Sequence, residues 1–94
     1  MKISVQKHKE EGRTAGFEVE LICKSEAEFR KAFEEIKGVD GVRWCGCPVE
    51  EDEYYSDMIA YLPKVPGVLV SELQDEARAI ARECKYILKS KNLK

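Results

Sequence analysis

Two cysteines one residue apart, Cys45 and Cys47, lie between the chain's single tryptophan, Trp44, and Pro48, with the acidic run Glu50 to Glu53 just beyond. Paired thiols at short spacing can exchange with a disulfide or bind a soft metal ion. The other two cysteines, Cys23 and Cys84, stand far away in sequence. A four-thiolate zinc site needs all its sulfurs within about 2.3 Å of one ion and usually draws them from C-x2-C pairs. That spacing is missing here, and Cys23 and Cys84 fall on apolar patterns suited to small buried residues. No metal or other cofactor is expected.

The segment Trp44-Cys45-Gly46-Cys47-Pro48 resembles, in residue types and over five positions, the Trp-Cys-Gly-Pro-Cys active site of the thioredoxin family. The resemblance implies a redox pair at Cys45 and Cys47. It departs from that family in having one residue fewer between the cysteines. The family motif also opens a helix whose N-terminus lowers a thiol pKa, whereas Pro48 and four carboxylates follow here. Two residues of extended strand advance about 6.6 Å, while a disulfide brings β-carbons to roughly 4 Å. Redox chemistry at this pair therefore requires the backbone to leave the extended conformation at Gly46.

Other chemistry is thinly represented. His8 is the only histidine, placed in an expected edge strand with no nucleophile spaced to meet it, so no catalytic residue is assigned. Glu50, Glu51, Asp52 and Glu53 lack the ligand alternation and glycine of a calcium loop. No Gly-rich phosphate loop is present.

The elements that position these residues follow from periodicity. The 94 residues suit a single domain, 1–94, and 44% hydrophobic with 36% charged residues is a globular balance. Residues 2–9 alternate as a half-exposed strand, and a second strand from about 16 to 24 puts Phe17, Val19, Leu21 and Cys23 on one face. Ser25-Glu26-Ala27-Glu28 has the form of a capping box, followed by Phe29, Ala32, Phe33 and Ile36 at helical spacing, with Gly38 placed for a left-handed cap. Gly41 to Cys47 reads as a third strand and Pro48 to Glu53 as a loop. Tyr54 to Leu62 reads as a fourth strand with Met58, Ala60 and Leu62 on the face opposite Tyr55, Asp57, Ile59 and Tyr61. A long helix ends the chain, striped by Leu69, Leu73, Ala77, Ile80, Cys84 and Leu88, and beginning either near Pro66 or at the Ser71-Glu72-Leu73-Gln74 box.

The order ββαββα predicts an α+β fold: a two-layer sandwich of a four-stranded, mainly antiparallel sheet with both helices on one face. Strands 2 and 4 would be central, in a permuted ferredoxin-like arrangement. Alternation then turns Val42 and Trp44 toward the helices and Arg43, Cys45 and Cys47 toward the open face. That face would carry Ile22, Arg43, Tyr55, Ile59 and Tyr61, a mixture of aromatic anchors and charge common at protein interfaces. These five are the candidate partner-binding residues, for a second copy in a homodimer or for another protein.

Tyr55, Tyr61 and Arg43 also have the residue types of a stacking platform for single-stranded RNA. Net charge −2 supplies no strong field for phosphates, however, and Glu18 and Glu20 on the same face disfavour them further. Nucleic-acid binding is therefore the third reading, after a protein partner and thiol redox chemistry. No run approaches the roughly 18 apolar residues of a membrane span, and no secretory leader is apparent. A cytoplasmic protein with reduced thiols is expected, non-catalytic and acting by binding.

Overall fold

The computed structural model describes residues 1–91. Lys2–Glu10 forms β1 and Arg13–Cys23 forms β2, joined by a two-residue turn in which Glu11 and Gly12 both have positive φ, 52° and 77°. Two successive left-handed residues give the turn whose twist matches that of the flanking strands. The hairpin therefore closes tightly, and β2 starts three residues earlier than its alternation indicated.

Helix α1, Glu26–Ile36, begins as its sequence requires: the Ser25 hydroxyl accepts from the Glu28 amide at 3.2 Å, and Glu26 pairs with Arg30 at 2.7 Å. Glu28 reaches back to the Lys24 amide at 3.4 Å, one residue short of the usual capping-box donor. Gly38 does not supply the left-handed turn. Lys37 ends the helix in right-handed geometry, and the reversal comes at Gly41, φ 90°, where an added β-carbon would lie 3.2 Å from Ile80 Cδ1. At Gly41 the chain therefore passes close to the second helix.

The third strand is not where alternation placed it. Residues 42–48 form no strand and approach the sheet through one backbone bond, Arg43 N–H to Ile59 O at 2.8 Å. Strand β3 is Val49–Glu51, inside the expected loop, and pairs antiparallel with β4, Tyr54–Pro63. Helix α2 covers Val70–Ser90, and neither expected start is used: Leu69 occupies the cap position without a side-chain bond, and Lys64 Nζ donates to Val68 O just ahead of it. Its buried stripe is Leu73, Ala77, Ala81, Cys84 and Leu88, while Leu69 is exposed and Ile80 half-buried.

The sheet order is β1-β2-β4-β3 with every neighbouring pair antiparallel, and the two helices lie on one face. This is the permuted ferredoxin-like arrangement, with β2 and β4 central. Phe17, Phe29, Leu21, Ile36, Ile59 and Val19 fill the space between sheet and helices. No helix among the described residues is long and apolar enough to cross a membrane.

A bulge in β4 controls which side chains remain outside. Val19 pairs with Ala60 and Glu20 with Met58, so Ile59 has no partner in β2. The extra residue lets Ile59 and Ala60 both turn inward, at 0% and 1% exposure, and inverts the alternation of everything before them. After the bulge Leu62 lies inside and Tyr61 outside; before it Tyr55 and Asp57 lie inside.

Candidate functional site

Residues paired directly across an antiparallel ladder share a face, so the ladders define the open side of the sheet residue by residue. Lys2, Ser4, Gln6 and His8 lie opposite Ile22, Glu20, Glu18 and Gly16. Ile22, Glu20 and Glu18 in turn lie opposite Ser56, Met58 and Tyr61, and Val49 lies opposite Ser56. Of the five candidate partner-binding residues, Ile22 and Tyr61 share this face, with Arg43 exposed on the segment beside β4. Tyr55 and Ile59 do not belong to it. Tyr55 is 4% exposed and meets Phe29 edge-on at 5.2 Å, and Ile59 is in the core, both displaced by the bulge.

Tyr61 is the organised centre of what remains. Its ring stands edge-to-face with His8 at 5.9 Å, and its hydroxyl donates to Ala15 O at 3.4 Å. Gly16 makes room for it, since a β-carbon there would lie 2.4 Å from Leu62 O and 3.0 Å from the Tyr61 hydroxyl. His8 Nδ1 is 3.0 Å from Glu18 and Nε2 is 3.3 Å from Glu10, while Gln6 donates to Glu20 at 3.1 Å. The face is thus a network of paired polar groups around one aromatic ring that is 41% exposed.

The cysteine segment folds onto the edge of the sheet beside β4, held from the helix-covered side through Asp57. That carboxylate is 3% exposed and accepts from Trp44 Nε1 at 2.5 Å, from the Gly46 amide at 3.0 Å and from the Met58 amide at 2.7 Å. Trp44 lies against Phe29 and Phe33 at ring distances of 4.9 and 5.5 Å, with the Arg30 guanidinium 5.0 Å over it. Trp44 is therefore the packing anchor that alternation predicted, although its backbone is not a strand. Gly46 has φ 79°, so the chain does leave the extended conformation between the thiols.

Cys45 and Cys47 are free and exposed; Cys23 and Cys84 are free and buried. Partial burial pushes the Cys45 thiol above its ordinary pKa, the Asp57 and Cys47 charges add to this, and Arg43 opposes it. Burial raises Cys23 to about 12, with Glu28 contributing, and Cys84 to about 11. Among the described residues, no group of three or more His, Cys, Asp or Glu side chains is arranged to hold a metal ion.

Periodicity missed Asp57 as an organising group, because strict alternation sent it to the open face. A usable signal was present: a packed tryptophan needs an acceptor for its indole N–H. Comparison with family models, curated proteins and solved structures returns no match to this chain.

Proposed function

We propose that the chain is a non-catalytic cytoplasmic binding protein that contacts another protein through the open sheet face around Tyr61. The observation that carries the reading is Tyr61 itself, a half-exposed ring held in place by His8, the Ala15 carbonyl and the space above Gly16. A rigid aromatic with its conformational entropy already lost, ringed by polar groups, has the composition of an interface anchor. Met58, Ile22 and Val49 extend the apolar part. Tyr55 and Ile59 take no part, which makes the contact smaller and more polar than alternation indicated.

The test is quantitative capture from the source cells by wild type, Tyr61→Lys and Leu69→Glu. Lysine is chosen at 61 because Glu18 lies directly across the ladder and can pair with it. A protein retained by wild type and Leu69→Glu but lost by Tyr61→Lys supports the reading. Equal recovery by all three removes it.

A second reading, thiol–disulfide exchange at Cys45 and Cys47, is favoured by one observation, the left-handed Gly46. The raised pKa of Cys45 counts against it. Mild oxidation followed by intact mass distinguishes the readings, because a redox pair loses two hydrogens within one molecule.

A further inference from the structure

Helix α2 carries Arg78, Arg82, Lys85 and Lys89 on its solvent side, all exposed. Steps of four, three and four residues put them in one row about 16 Å long at 1.5 Å per residue. None is paired with a carboxylate among the described residues. Like charges at these spacings repel one another, and an anionic partner would relieve that repulsion. Tyr86, 74% exposed, lies beside Arg82 and Lys89. Beyond Tyr86 runs a row of opposite sign, Glu72, Glu76 and Glu83, and exposed Asp75 stands one turn before Arg78 at the N-terminal end of the basic row.

The chain also carries the complement. Glu50 and Glu51 end β3 and Asp52 and Glu53 make the turn into β4, so the four carboxylates cluster at the end of this hairpin, all exposed and without an ion pair among the described residues. Exposed Val49 and Tyr54 flank them. Row and tip do not meet within one molecule, because α2 packs on β1, β2 and β4 and makes no contact with β3 at the far edge. We propose that the Arg78–Lys89 row receives the Glu50–Glu53 hairpin tip of a second copy of this chain, with Tyr86 against the apolar flank. The contact joins two different patches, so a two-fold dimer makes it twice and a head-to-tail chain once per junction. A nucleic-acid strand suits the row less well, since it would run beside Glu72, Glu76 and Glu83 on a molecule of net charge −2.

Sedimentation velocity of the full chain over a concentration series tests this, at low salt and at about 0.5 M salt, where screening shortens to a few ångström. Association is expected at low salt and loss at high salt. The charge reversals R82E/K85E and E51K/E53K, each checked for unchanged circular dichroism, should each weaken association at least about tenfold. Mixing the two variants should restore it, because each then offers the other an opposite charge. A monomer at low salt, association unchanged by both reversals, or no rescue on mixing overturns the proposal. So does a fluorescent single-stranded oligonucleotide that binds wild type and E51K/E53K but not R82E/K85E without any self-association, which would assign the row to phosphates.

Discussion

Trp44 donates its indole N–H to the buried carboxylate of Asp57 at 2.5 Å, and through that bond a segment without strand structure is held against the sheet. The same carboxylate takes the Gly46 amide, so the tryptophan and the bend between the cysteines share one acceptor. Replacing Asp57 by alanine leaves both N–H groups without it. The Asp57→Ala protein should lose about 2–4 kcal/mol in urea unfolding. Trp44→Phe, which keeps a ring against Phe29, should cost less, about 1–2 kcal/mol.

The bulge makes a sharp comparison between neighbouring residues. Ile59 has no exposure and Tyr61 is 41% exposed. Ile59→Ala should cost about 2–5 kcal/mol and Tyr61→Lys less than about 1 kcal/mol by chemical denaturation. If the strand alternated without interruption, the two would behave alike.

Glu11 sits in left-handed geometry at φ 52°, in a turn that favours asparagine or glycine there. Glu11→Asn should raise stability by roughly 1 kcal/mol, read as a higher melting temperature with no change in secondary structure.

The buried thiols give the protein an alkaline limit. Cys23 and Cys84 have folded pKa values of about 12 and about 11 against an ordinary 9.0. Between 9 and 11 the unfolded chain releases these protons and the folded one keeps them, so stability is full below pH 9 and falls as pH rises. The double variant Cys23→Ala, Cys84→Ala should be less stable at pH 7 yet show a shallower fall from pH 9 to 11. At Cys45, the raised pKa predicts slow alkylation at pH 7 that quickens with pH, and Asp57→Asn should accelerate it by removing a negative neighbour.

The helices and their layer were legible because each has its own local signal: the Ser25 cap, the Glu26–Arg30 pair, and apolar positions spaced for one face. The hairpin of β1 and β2 was equally local. Two features depended on partners distant in sequence. Ile59 and Ala60 are both apolar, so either could be drawn outside without breaking the pattern, and only pairing with Val19 and Glu20 shows that one residue is extra. Val42 to Cys47 alternates like a strand, yet Asp57 captures Trp44 and Gly46 and leaves the ladder on β4 to Val49–Glu51. Two of the five candidate residues were misplaced on the same ground, since Tyr55 and Ile59 lie on the inverted side of the bulge.

The binding role proposed for the open face can be tested at Tyr61. A photo-reactive phenylalanine analogue at position 61, irradiated in the source cells, is expected to give one dominant adduct with another protein, absent when the same analogue replaces Leu69. No adduct from position 61, or the same adducts from both positions, would contradict a partner on this face.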